Sequence, residues 1–380
     1  MTDWPFLPLE EVLSLEYGRS LPARDRGKGG KYDVAGSNGP DGRHTECLVR
    51  GPGVVVGRKG SAGKVHWYES DFWPIDTTYY VKPRMPLDMR WAYYVLGSLR
   101  LPTLATTTGV PGLNRNDVYR LELRVPPLNE QHRIAEILDQ ASSLRRMAAS
   151  MDRKAKVIIP ALFLQTFGDP VANPMSWPKL PIGQLATVTT GNTPPRDRSE
   201  YYGGQVEWIK SDNINTPSHY LTPASERLSY RGSEVGRLAV SGSTLVTCIA
   251  GSPNVIGNAA LANRLVAFNQ QINAATPKPG VDPYFLYAHF LVGKKLIQAV
   301  SSGGMKGLVS KSAFSSVQFL GPPTELQRQF GRRCRRLCEQ TEQCLLRTGL
   351  LDNLLAVLTQ KALVGDLTAS WRLSNVGGPK

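Results

Sequence analysis

The sequence predicts an α/β fold: two mixed α/β domains with short strands, separated by two long antiparallel coiled-coil helices and related by a pseudo-twofold internal repeat. Three observations predict it. A series of turn motifs occurs twice in the same order, Gly- and Pro-rich regions carry short β-branched runs, and two helical stretches share one apolar spacing.

The repeat is the strongest of these, because self-similarity along a chain decides its architecture before any local signal does. Trp4-Pro5-Phe6-Leu7-Pro8-Leu9 returns as Trp177-Pro178-Lys179-Leu180-Pro181-Ile182, followed by Gly18 and Gly191, then Pro22 and Pro195. A β-branched run reaching Gly60-Ser61 answers one reaching Gly251-Ser252, and Gly109 to Leu113 answers Gly304 to Leu308. Pro126-Pro127 with Gln131 matches Pro322-Pro323 with Gln327, and Gly168-Asp169 matches Gly365-Asp366. The offset drifts from 173 to 197, as loop insertions in the second copy would cause.

Each copy divides in two. The mixed regions hold runs such as Gly53-Val54-Val55-Val56 and Thr244-Leu245-Val246-Thr247 between turn signals, the pattern of short strands. After Pro126-Pro127 the chain turns helical, since proline is tolerated in a first helical turn. Ile137, Ala141, Leu144, Ala148, Met151, Ala155, Ile158 and Leu162 alternate spacings of four and three, which predicts a coiled-coil seam, with a kink at Pro160. Phe330, Cys334, Leu337, Thr341, Cys344, Thr348, Leu351, Leu355, Leu358 and Ala362 repeat it. At about 1.5 Å per residue, about 35 residues form a rod of roughly 50 Å. The expected boundaries are 1–125 for the first domain, 126–170 for the first helix, 171–321 for the second domain, 322–365 for the second helix and 366–380 for a tail.

Composition bounds the function. A chain of 380 residues with 41% hydrophobic and 20% charged residues is a folded protein large enough for more than one domain. The formal net charge is +14, with 23 Lys and Arg against 19 Asp and Glu up to Met175 and 22 against 12 beyond it. Both halves should attract a polyanion, and nucleic acid is the favoured partner because phosphate neutralisation releases counterions. A pseudo-twofold DNA binder presents two readers to two half-sites, and successive major-groove faces lie about 34 Å apart, within reach of the rod.

No apolar run approaches the roughly 20 residues of a membrane span, and the start Met1-Thr2-Asp3-Trp4-Pro5 lacks a secretory layout, so a cytoplasmic location is expected. Five cysteines without a CxxC pair are expected to stay reduced, and Cys334, Cys338 and Cys344 to pack rather than bind metal.

The segment Pro126-Pro127-Leu128-Asn129-Glu130-Gln131 leading into Ile134-Ala135-Glu136-Ile137-Leu138-Asp139, with Leu162 to Pro170 ending in Phe167-Gly168-Asp169-Pro170, resembles the first conserved region of the specificity (S) subunits of type I restriction-modification systems. Gly365-Asp366-Leu367-Thr368 with Trp371-Arg372 is similar to the close of such subunits. The resemblance implies two target-recognition domains reading the halves of an interrupted double-stranded DNA site. It implies helices that set the gap and dock two methyltransferase (modification) subunits, which bring S-adenosylmethionine, and a restriction subunit, a translocating endonuclease, that joins in some systems. The basic cluster Gly331 to Arg336 departs from the family pattern.

Catalysis is expected in those partners. Gly57 to Lys64 resembles a phosphate-binding loop, but that motif needs Gly at 58 and Ser or Thr at 65, where Arg58 and Val65 stand. No HExxH, nucleophile elbow or dinucleotide fingerprint occurs, and the five histidines are scattered. The expected DNA contacts in the first domain are Arg19, Arg24, Arg26, Lys28 and Lys31, then Arg58, Lys59 and Lys64, then Asn114, Arg115 and Asn116. In the second they are Arg196, Arg198, Tyr201, Tyr202, Lys210, Asn213, Lys306 and Lys311. The stretch Arg24 to Lys31 also reads as a solvated loop, and Asn269-Gln270-Gln271 either reads adenine or braces a strand. The alternatives are a stand-alone DNA-modifying enzyme and a coiled-coil protein adaptor.

Overall fold

A computed structural model of the chain describes residues 4–27, 29–106, 109–302 and 307–375. Two compact units emerge: Met1–Arg146 with Leu350–Lys380, and Met147–Gly349. The division falls within the two long helices, so each helix contributes one half to each unit.

The first unit is built on a four-stranded antiparallel sheet in the order Leu13–Tyr17, Thr78–Pro83, Gly53–Gly57, Val65–Tyr68. Val54, Val55 and Val56 are fully buried, as β-branched residues on a sheet covered from both sides should be. Leu15, Val54 and Val56 pack against Trp91 and Leu96 of the helix Met89–Ser98, and with Val118 of the short helix Arg115–Tyr119. A second sheet pairs Tyr32–Gly36 with the antiparallel Gly39–His44 and the parallel Phe72–Pro74.

The second unit repeats the plan. Its sheet runs Ala186–Thr190, Ile272–Pro277, Thr244–Thr247, Ala259–Leu261, and the helices Pro283–Val292 and Lys311–Ser316 stand where Met89–Ser98 and Arg115–Tyr119 do. Its second sheet differs, with four strands in the order Arg227–Leu228, Tyr202–Ile209, Val266–Phe268, Leu238–Ala239.

Hydrogen bonds repeat as well as strands. Gln131 accepts from the Asp88 N–H and donates to the Pro126 carbonyl, while Gln327 does the same with Asp282 and Pro322. Asp88 and Asp282 in turn cap their helices by accepting two backbone N–H bonds each, satisfying donors that a helix start leaves free. Leu113 donates to the Arg58 carbonyl and Val309 to that of Cys248. These bonds equate Leu113 with Val309, one residue away from the match of Leu113 to Leu308 that the glycine pattern suggests; glycine-rich turns align by composition, whereas ladders align by bonding.

The long helices are Leu128–Phe167 and Thr324–Val364, and they run antiparallel within each unit. In the first, Arg145 pairs with Asp352 at 2.6 Å and Glu130 accepts from Thr368. In the second, Asp152 accepts from Thr348 at 2.8 Å, and Ile159, Phe163 and Phe167 pack with Phe330, Cys334 and Cys338. The second helix buries or half-buries the predicted seam. The first does so at Ile137, Ala141, Ala148, Ala155 and Leu162, but at the other three positions the contact is shifted by one: Asp152 and Ile159 are buried, as is Leu138, whereas Leu144, Met151 and Ile158 are 55%, 53% and 43% exposed. Polar Asp152 takes a seam position that an apolar count passes over. Pro160 does not end the helix, which continues through Phe163 to Phe167.

The head of the first unit is clamped to its helix by Arg90, which bonds Asp139 at 2.5 Å and lies over Trp67, Tyr93 and Tyr94. In the second unit two buried histidines do related work. His289 Nε2 accepts from the Leu320 N–H while its ring stacks on Phe319 at 3.8 Å, and His219 Nδ1 meets the Tyr287 hydroxyl at 2.9 Å. Burial pushes them down to about 3 and about 4 respectively. Both are therefore neutral in the fold at neutral pH. Below the ordinary value near 6.5 the unfolded chain binds protons that the folded one refuses, so stability is full above that pH and falls toward pH 4. Each histidine should contribute a slope of about 1.4 kcal/mol per pH unit. Thermal melts from pH 7.5 to 4.5 should show this fall, with His219→Gln removing about half of it; an unchanged slope in the variant would contradict the assignment.

All five cysteines are free, with Cys334 and Cys338 fully buried in the seam. Among the described residues no helix is long and apolar enough to cross a membrane.

Candidate nucleic-acid interface

In the first unit the ends of Leu13–Tyr17 and Gly53–Gly57, and the start of Arg115–Tyr119, converge on one cluster. Arg58 and Arg115 each lie 4.9 Å from the centroid of the Tyr17 ring. Arg58 Nη1 donates to the Asp76 carbonyl at 2.8 Å and Arg115 Nη1 to that of Leu15 at 3.4 Å. Exposed Lys59 bridges to Gly112, and Lys64 donates to Asn38 Oδ1 at 2.7 Å. The segment Gly57 to Lys64 is a turn between antiparallel strands, not the strand-to-helix turn of a phosphate-binding loop.

The other candidates scatter. Arg19, Arg24 and Lys31 are exposed; Arg26 is folded inward, bonding the Leu21 carbonyl and pairing with Asp41 at 2.5 Å. Asn114 caps the helix that begins at Arg115 by accepting from the exposed Asn116. Lys28 and Lys306 lie outside the described residues.

The second unit builds a different cluster. Arg196 lies 4.8 Å from the Tyr202 ring and 4.7 Å from that of Trp208, and pairs with Glu226 at 2.7 Å. Lys210 reaches the same Glu226, and the bonds from Lys210 and Arg196 hold this carboxyl below its usual range. Arg198 pairs with Glu200 and Tyr201 is half-buried beside it. Asn213 is buried, accepting from the Lys210 N–H and donating to the Pro223 carbonyl, so it shapes the turn. Lys311 is exposed at its helix start. Asn269 is a buried brace to Gln271, whereas Gln270 is exposed beside Thr193.

Tyr17, Trp208 and Glu226 organise these clusters without being among the expected contacts. Tyr17 immediately precedes the repeat's Gly18, which is the signal that marks it. The bonding equivalence places Tyr17 and Arg58 opposite Thr190 and Cys248, and Arg115 opposite Lys311. The shared frame therefore carries unlike chemistry at its two equivalent edges. Among the described residues no group of three His, Cys, Asp or Glu side chains is arranged to hold a metal ion.

The two units share an α/β frame with cation-rich edges, each joined to paired long helices. The model of the type I restriction modification DNA specificity domain matches residues 1–148 and 174–343, and the chain belongs to that family. It is similar to the HindI specificity subunit of Haemophilus influenzae, with 24% identity over 199 residues, 51% of this chain and 42% of that subunit. It is also similar to the EcoprrI specificity subunit of Escherichia coli, with 25% identity over 150 residues, 38% and 37% of the two chains. The matched region thus spans about two fifths of these relatives' length. The fold resembles that of the type I restriction-modification S subunit from M. genitalium, with a TM-score of 0.68 and 17% identity over 95% of this chain and 96% of that one.

Proposed function

We propose that the chain is a non-catalytic specificity subunit that recognises an interrupted DNA site, each α/β head reading one half. The observation that carries this reading is the repeat itself: one bonded frame used twice, with a different set of cationic and aromatic side chains at each edge. Phosphate contacts from exposed lysines and arginines would fix register, and arginine and amide edges would read bases. Met147, Met151 and Leu346 in the second unit, and Leu350 and Leu354 in the first, leave apolar surface on the helices, of the kind that marks a docking face. Methyltransferase subunits would occupy it, bringing S-adenosylmethionine, which this chain does not itself bind, and in a restricting system an endonuclease subunit would join them. The assembly would act in the cytoplasm of a prokaryote.

Footprinting tests this directly. The chain assembled with its methyltransferase should protect two short blocks separated by an indifferent gap, whereas one contiguous block would refute the reading.

A further inference from the structure

We infer that the first head reads guanine, with Arg58 and Arg115 as its readers and Tyr17 as their platform; this rests on the DNA-recognition reading above. Tyr17 stands at the end of its strand with 48% of its surface exposed. Two guanidinium groups lie 4.9 Å from its ring, each held by one hydrogen bond from Nη1 to a backbone carbonyl. Several other arginines of the same unit pair with carboxylates, Arg26 with Asp41, Arg43 with Asp33 and Arg90 with Asp139. Among the described residues no carboxylate forms an ion pair with Arg58 or Arg115.

Two like charges brought to one ring repel, and the ring's negative face offsets only part of that. The balance is restored when acceptors arrive. A guanidinium has five N–H donors in a rigid plane, so one bond to a carbonyl fixes the plane and leaves donors for a ligand. A planar, pre-oriented donor pair matches the O6 and N7 acceptors of guanine in the major groove. The same fork fits a phosphate, and the test separates the two acceptors. The second head has Thr190, buried Cys248 and Lys311 at the equivalent positions, so this mode of reading belongs to one half-site.

The test uses the assembled complex on its own site, identified by methylation-aware sequencing. Each guanine is replaced singly by 7-deazaguanine, which removes N7 from the DNA and leaves the protein untouched. One or two guanines of a single half-site should show a loss of about ten- to a hundredfold in affinity, the range of a bidentate pair. In Arg58→Ala or Arg115→Ala, which remove the donors, the penalty at the guanine that residue reads should disappear while the penalty at a guanine read by the other arginine persists. Unchanged penalties in both variants would overturn the inference. So would a site with no guanine in the half that the first head covers, or a uniform weakening across sequences with a shallower salt dependence, the signature of a phosphate contact. Loss of the two-block footprint in the unmodified complex would instead remove the reading on which the inference rests.

Discussion

Replacing Phe163 with alanine should destabilise the second unit by about 3–5 kcal/mol, read as a drop in melting temperature. The ring is fully buried and lies 5.0 Å from Phe167, 5.0 Å from His289 and 5.9 Å from both Phe285 and Phe330. Its removal leaves a cavity at the junction of both helices with the helix Pro283–Val292, and four rings cannot collapse into it without leaving their own contacts. The neighbouring pair Ile158 and Ile159 sharpens the test. Ile159→Ala should cost several kcal/mol and Ile158→Ala little, because the first side chain is fully buried and the second is 43% exposed. Equal effects at both positions would contradict the observed seam.

Gly191→Ala and Gly18→Ala should each cost about 3 kcal/mol or more, the upper range of overpacking. A Cβ at Gly191 would lie 2.2 Å from the Asn269 carbonyl oxygen, and one at Gly18 would lie 2.2 Å from that of Ile75. Both neighbours are backbone, so no rotamer change relieves the clash; a strand end must move instead. The same close approach occurs in both copies, which explains why this glycine recurs at a fixed distance from the Pro-x-x-Pro motif. Gly251→Ala, with no atom within 4 Å of the added carbon, should leave the melting temperature nearly unchanged. If Gly191→Ala behaved like Gly251→Ala, the strand crossing at this position would be misplaced.

The frame and the reading edges answer to different physics. The Gln131 and Gln327 braces, the Asp88 and Asp282 caps and the two glycines satisfy backbone groups or exclude side chains, demands that any copy of this fold must meet. The edge residues answer to no such shared demand, so one copy carries a tyrosine between two arginines while the other carries arginine and lysine on a shared glutamate. A duplicated frame with unlike edges suits the proposed two-part site, whose halves would then differ in sequence.

The repeat, the division into mixed and helical parts, and the second seam were legible in the sequence because each rests on residues that local geometry restricts: proline at a helix entry, glycine where a backbone crosses, apolar side chains at a four-three spacing. Tertiary structure alone decided the rest. It chose Ile159 over Ile158 because Asp152 and Thr348 bond within the seam, a pairing between residues far apart in the chain. It turned Arg26 and Asn213 inward and brought Arg58 and Arg115 onto Tyr17. Local spacing records what a backbone segment must do by itself, whereas the partners of a long, charged side chain depend on which strand ends the fold brings together.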